Sequence, residues 1–124
     1  MTAEAERPAA VSACLEVLKK RADFLACARP PARKQHTPGF LLQGRAREAG
    51  GAIRIGYTCS KKVGNAVARN RAKRRLREIA RAVLLKEGRA GWDYVLVGRK
   101  DETANRDFAT LKADLSNALA KVHG

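Results

Sequence analysis

The chain has 124 residues, of which 45% are hydrophobic and six aromatic; this suits one domain with a core of Leu, Ile, Val and Ala, and excludes a chain disordered by composition. Lys and Arg number 26 against 12 Asp and Glu, a net charge of +14. So large an excess repels itself in a compact fold and points to a polyanionic partner, nucleic acid before an anionic membrane. No apolar run approaches the ~20 residues that span a bilayer, and the first 13 residues carry Glu4 and Glu6 without the apolar block of a secretory signal. Cys14, Cys27 and Cys59 are widely spaced, show no metal-ligand spacing with His36 or His123, and read as reduced thiols of a cytoplasmic protein.

Residues 1–16 read as a flexible tail and 17–124 as the domain. Val17, Leu18, Phe24 and Leu25 lie near helical spacing and predict a short helix over 17–28, stopped by Pro30 and Pro31. A basic loop follows over 32–39. Phe40–Gln43 is expected to be a strand, and residues 48–51 a turn. Over 53–59, Ile53, Ile55, Tyr57 and Cys59 share one face and Arg54, Gly56 and Thr58 the other, the pattern of a second strand. The two strands are expected to pair as an antiparallel hairpin.

A long helix is predicted over 65–86 with its stop at Gly88. Ala68, Ala72, Leu76, Ile79, Ala80 and Val83 fall on one arc of it. Lys73, Arg74, Arg77 and Arg81 fall opposite with Asn70, and Arg69 and Arg75 flank the apolar stripe. Trp92–Gly98 has the composition of a further strand. Phe108, Leu111, Leu115, Leu119 and Val122 make the buried stripe of a last helix over 103–122. The order α-β-β-α-β-α predicts a single α+β sandwich of helices on a sheet.

Charge is concentrated between residues 61 and 81, where Lys61, Lys62, Arg69, Arg71, Lys73, Arg74, Arg75, Arg77 and Arg81 face one acid, Glu78. An ordinary solvated helix mixes signs, because opposite charges at i,i+4 stabilise it. Here Arg69, Lys73, Arg77 and Arg81 repeat one sign at that spacing, an arrangement that phosphates would neutralise. No cluster of carboxylates of the kind two-metal hydrolysis requires accompanies it. Asp93, Asp101, Glu102 and Asp107 form only a loose group near a loop and a helix start.

The run from Ser60 through Lys61-Lys62-Val63-Gly64-Asn65-Ala66-Val67 to Arg69-Asn70-Arg71-Ala72-Lys73-Arg74-Arg75-Leu76-Arg77 closely resembles the signature of the bacterial ribonuclease P protein subunit family. Leu18-Lys19-Lys20-Arg21-Ala22-Asp23-Phe24 resembles that family's first helix, and the likeness extends over about residues 17–121. It implies a ribosomal-protein-S5-domain-2-like fold with a left-handed β-α-β crossover from the strand at Ile53, through the basic helix, to the strand at Trp92.

The resemblance further implies a heterodimeric ribonucleoprotein of one RNA and one protein. The catalytic RNA, with magnesium, would hydrolyse the 5′ leader from precursor tRNA, and the protein alone would not cut. Lys61, Lys62, Asn65, Arg69, Asn70, Arg71, Lys73, Arg74 and Arg77 would contact the catalytic RNA, Asn70 either by its own amide or by holding its neighbours. Lys20, Phe24, Phe40, Arg54 and Tyr57 would contact the single-stranded leader, with Phe24 either stacking on a base or serving as core. Two aromatic positions of the family's leader cleft are Ala28 and Gln43 here, so the expectation is either a groove that holds bases less tightly or compensation by Phe40, Tyr57 or basic side chains. A ribosomal or ribosome-assembly RNA-binding protein is the rival consistent with charge alone. A stand-alone nuclease lacks clustered acids, and a helix-turn-helix would need a short helix, not a strand, before the basic one.

Overall fold

The computed structural model describes residues 15–48 and 50–124. The expectations placed on residues 1–14, Cys14 among them, and on Ala49 of the expected turn lie outside the described residues. The elements in order are β1 (Leu15–Val17), α1 (Arg21–Ala28), β2 (Arg33–His36), β3 (Phe40–Ala46), β4 (Ile53–Thr58), a 3₁₀ turn (Lys61–Val63), α2 (Ala66–Glu87), β5 (Trp92–Gly98), α3 (Glu102–Asn105) and α4 (Phe108–His123). The five strands form one sheet in the order β1-β4-β5-β3-β2. The mixed α+β single domain expected from the sequence is the architecture found.

The expected hairpin between the strands at Phe40 and Ile53 does not form. β3 runs antiparallel to β5, from Phe40 opposite Gly98 to Ala46 opposite Trp92. β4 runs parallel to β5, from Arg54 opposite Asp93 to Thr58 opposite Val97. β5 therefore lies between them. It is the strand most suited to the centre, since Asp93, Tyr94, Val95 and Leu96 are all buried and a strand covered on both faces reads as continuous apolar sequence. The connection from β4 through α2 to β5 is a parallel crossover.

Three other boundaries move. The helix expected from Val17 starts at Arg21, and Leu15–Val17, two residues of which were assigned to the tail, forms an edge strand parallel to β4. The basic loop over 32–39 contains β2, a short edge strand that pairs with β3 and carries no apolar pattern of its own. The last helix breaks at Arg106 and Asp107. One turn, α3, precedes α4, which restarts where the Asp107 carboxylate accepts the Thr110 N–H at 3.1 Å.

Strand alternation divides the core in two. Phe40, Leu42, Ile53, Ile55, Tyr94 and Leu96 point toward α2 and α4 and pack on Leu76, Ile79, Ala80, Val83, Leu111, Leu115 and Leu119. On the opposite face, Leu18, Cys27 and Val95, with Phe24 and Val97, form a smaller cluster beneath α1. Gly88 ends α2 in an extended conformation, not a left-handed one. It is needed for space: a Cβ there would stand 2.7 Å from the Leu84 carbonyl oxygen and 3.1 Å from Ile53 Cδ1.

His123 closes the large core at the end of α4. The Tyr94 hydroxyl accepts the Arg89 N–H at 2.9 Å and lies 2.7 Å from His123 Nε2, to which it can donate when the ring is neutral. Burial first, then the nearby cations Arg89 and Arg33, push the His123 pKa below 6.5. The unfolded chain therefore takes up this proton before the folded one does. Stability is full above about pH 6.5, falls as pH drops from there through the folded pKa, and is level below it. Urea unfolding across this range should show that loss in the wild type and not in His123→Gln.

Candidate nucleic-acid interface

The entry to α2 is built by three residues in succession. Ser60 Oγ accepts the Lys62 N–H at 3.3 Å and starts the 3₁₀ turn. Gly64 turns the chain at φ 144°, where a Cβ would lie 2.8 Å from that of Ala68. Asn65 then caps α2, its Oδ1 accepting the Ala68 N–H at 2.9 Å. The structure thus gives Asn65 a definite local role, helix capping, beside the RNA contact expected of it. α2 buries Ala72, Leu76, Ile79, Ala80, Val83 and Leu84, close to the arc expected from the sequence.

The cations of this region project away from that stripe. Lys61, Lys62, Asn70, Arg71, Arg74, Arg77 and Arg81 are exposed, while Arg69 and Lys73 are half-buried. Asn70, Arg71 and Arg74 surround a depression of about 280 Å3 with Val67, whose side chain is 68% exposed. Among the described residues, none of these lysines and arginines forms an ion pair; the ion-paired carboxylates, Asp23, Asp93 and Asp114, are held by Arg45, Arg47, Arg54 and Arg106. Arg75 differs from its neighbours. Its guanidinium donates to the Arg106 carbonyl and lies 5.7 Å from the Phe108 ring centroid, so it ties α2 to the start of α4.

The face beneath α1 has a different character. Phe24 lies directly over Gly56, at which any Cβ would stand 2.5 Å from Cε1 of the ring. Asp93, 0% exposed at the centre of the sheet, receives Arg54 in a bidentate pair at 2.7 and 2.8 Å, Arg47 at 2.6 Å and Arg45 at 3.4 Å. Burial alone would raise the Asp93 pKa, but the hydrogen bonds and charges of Arg54 and Arg47 outweigh it and hold the carboxyl below 3.8. Asp23 of α1 stands 3.6 Å from Arg54 and 3.7 Å from Arg45, linking the helix to the same cluster. Cys27 is fully buried beside it, and burial pushes its thiol pKa up to about 11, so it is no nucleophile.

Of the five residues expected to meet the leader, Lys20, Phe24 and Arg54 belong to the α1 side of the sheet. Phe40 and Tyr57 do not. Phe40 is 0% exposed in the large core and has no surface to offer a base. Tyr57 points to the α2 side, where the Arg77 guanidinium lies 5.7 Å from its ring centroid. Alternation explains both: Arg54 and Tyr57 are three positions apart on one strand and so face opposite ways. Arg45 was not singled out in the sequence. Its signal was present in the alternation of β3, which sends Leu41, Gln43 and Arg45 toward α1, but the register that sets Arg45 opposite Asp93 is not local.

No group of three or more His, Cys, Asp or Glu side chains placed to hold a metal ion occurs among the described residues. The buried carboxylate, Asp93, is occupied by guanidinium groups, so these residues do not fit a magnesium site of the protein's own. Nor is any described helix long and apolar enough to cross a membrane.

An α+β sandwich that presents an unneutralised row of cations on one helix and a basic, aromatic-walled face on the other side of its sheet defines a nucleic-acid-binding protein. Comparison with known proteins narrows the class. Residues 14–123 match the family described as Ribonuclease P. The chain is 59% identical to the ribonuclease P protein component of Ruegeria pomeroyi, covering 94% of this chain and 96% of that one. It is 51% identical to that of Gluconacetobacter diazotrophicus, over 84% and 88% of the two chains. Among solved structures, the RNase P protein from Thermotoga maritima superposes with a TM-score of 0.70 at 30% identity, covering 88% of this chain and 99% of that one. The chain belongs to the family of ribonuclease P protein components.

Substitutions separate the two kinds of basic residue. Asp93→Asn should cost ~3–5 kcal/mol in chemical unfolding, because it leaves buried guanidinium groups without their counter-charge. Arg74→Ala should leave stability unchanged within ~0.5 kcal/mol. It should weaken RNA binding and make the log–log slope of affinity against salt shallower by roughly 0.7–0.9. Arg75→Ala should do the reverse, lowering the unfolding midpoint with little change in that slope.

Proposed function

We propose that this chain acts as the accessory protein subunit of ribonuclease P, paired one to one with the catalytic RNA in the cytoplasm. The exposed cations of the 3₁₀ turn and α2 dock that RNA, and the face beneath α1 holds the single-stranded 5′ leader of precursor tRNA. Hydrolysis belongs to the RNA; magnesium, held mainly by the RNA, would supply Lewis-acid chemistry there. One phosphodiester is cleaved by water, leaving a 5′-phosphate on mature tRNA and a 3′-hydroxyl on the leader. The observation that carries this reading is the partition of charge: arginines that build the fold, Arg75 of α2 among them, are paired with carboxylates or carbonyls, while among the described residues the exposed arginines of α2 have no counter-ion.

The contribution of the chain is electrostatic and geometric. Its cations lower the repulsion between two polyanions, the catalytic RNA and its substrate, and so reduce the magnesium required. An arginine fork grips two phosphate oxygens at once, which positions a strand as well as attracting it. Lys20 and Phe24 support a sequence-tolerant hold on the leader, in which a ring stacks on a base and a cation tracks the backbone, while Arg54, engaged by Asp93, adds positive charge beneath them.

Cleavage of labelled precursor tRNA at low magnesium tests the proposal, with the catalytic RNA alone, the protein alone and both together. Efficient cutting at the mature 5′ end by the combination only is the expected result. Cutting by the protein alone would overturn the assignment of catalysis to the RNA, and no gain from adding the protein would overturn the accessory role. About six single-strand phosphate contacts should give a log–log salt slope near −4.

A further inference from the structure

Tyr57 lies in a groove at the end of the docking row, on the side of the sheet away from the leader face. A hollow of about 290 Å3 opens between the edge strand β1 and the second half of α2. Leu15, Ile55 and Leu85 give it an apolar floor, the Tyr57 ring forms a wall, and Arg77 and Arg81 stand on its rim. Val17, 55% exposed, lies at its outer lip. Among the described residues no acidic side chain lines it, which argues against a cationic ligand or a basic peptide.

We infer that this groove takes one unpaired nucleobase of the RNA that docks along α2, with Arg77 and Arg81 holding the phosphates that flank it. The inference rests on the docking function proposed above and gives it a site for a base. Three observations support an RNA base as the occupant. The groove is continuous with the row of unpaired cations, since Arg77 belongs to both. Arg77 and Arg81 are one helical turn apart, ~5–6 Å, the scale of a single nucleotide step. An apolar floor with an aromatic wall and a cationic rim is the chemistry that binds a flat heterocycle on a polyanionic chain. The volume, near the lower end for a small-molecule site, suits one base and no more. Burial raises the Tyr57 pKa above 10 against the opposing charges of Arg77 and Arg81, so the hydroxyl stays protonated at neutral pH and can hydrogen-bond to a base edge.

The test is titration of catalytic RNA with the full chain and its variants at several salt concentrations. Val17→Trp fills the lip of the groove without touching the buried core. Tyr57→Leu removes the ring. Each should weaken binding roughly tenfold, as loss of one base–aromatic stack does, with the salt slope unchanged and the dependence on leader length unchanged. Tyr57→Phe, which keeps the ring, should bind within about threefold of the wild type, and Arg81→Ala should reduce the slope by roughly 0.7. Wild-type affinity in both Val17→Trp and Tyr57→Leu, with folding confirmed by thermal unfolding, overturns the inference and leaves the docking reading standing. No binding by the wild type overturns both. A wild-type dimer in sedimentation that Val17→Trp dissociates overturns the inference too, by assigning the groove to a second copy of this chain.

Discussion

A single buried carboxylate holds the middle of this sheet together. Asp93 sits opposite Arg45 on one neighbouring strand and Arg54 on the other, so the three side chains form a charged row across β3, β5 and β4. Arg47 reaches in from the loop after β3, and its N–H also donates to the Gly91 carbonyl at 2.7 Å, which brings that loop against the start of β5. An ionised carboxylate without water is costly, and only charged hydrogen bonds of good geometry offset the desolvation. That requirement favours one strand order. A hairpin of β3 on β4 would set Arg45 and Arg54 on adjacent strands with no acid between them. With β5 inserted, each guanidinium has its counter-charge, and Asp23 of α1 joins the same cluster from above.

The same arrangement helps so basic a chain stay compact. The half-buried Arg45, Arg47 and Arg54 are neutralised locally, and Arg106 is likewise paired with Asp114 at 2.7 Å. Other acids serve as helix cap or side-chain acceptor, as Asp107 does at the start of α4 and Glu87 does toward Ser116 at 2.6 Å. Few are left for α2, so the repulsion among its exposed cations persists until a partner carrying phosphates arrives. Burial of Ala72, Leu76, Ile79 and Ala80 against the sheet, at ~1.5–3 kcal/mol for each large side chain, anchors the helix against that repulsion.

What could be read from the sequence follows the range of the interaction involved. α2 was legible almost to the residue, because its signals are local: an apolar residue every third or fourth position and Gly88 at its end, although Asn65, read as its first residue, is its cap. The faces of β4 were legible from alternation. Its neighbours were not, because pairing with β1 and β5 joins residues 38 to 39 positions apart in sequence, as in Leu15 with Ile53 and Arg54 with Asp93. β1 and β2, three and four residues long, carry no periodicity to detect. The motif residues of α2 fell together as expected, since one helix face collects them. The leader-binding set did not, because Phe40 and Tyr57 were grouped with Phe24 and Arg54 by residue type, while the strand period had already sent them to opposite sides.

That separation of faces has a consequence for how one small domain could serve two RNA segments. Under the proposed function, the catalytic RNA lies along α2 and the leader lies under α1, with the sheet between them. A sheet and a packed layer stand ~10 Å apart, a distance comparable to the screening length at physiological salt. Two polyanions held on opposite sides therefore interact weakly with each other, and each is attracted by the cations nearest to it. The Asp93 cluster sits on the α1 face, with three guanidinium groups against two carboxylates and so a residual positive charge. That charge lies beside the proposed leader and, across the sheet from the exposed side of α2, adds little to the docking of the catalytic RNA. The residue row that fixes strand order thus also keeps the α1 face basic.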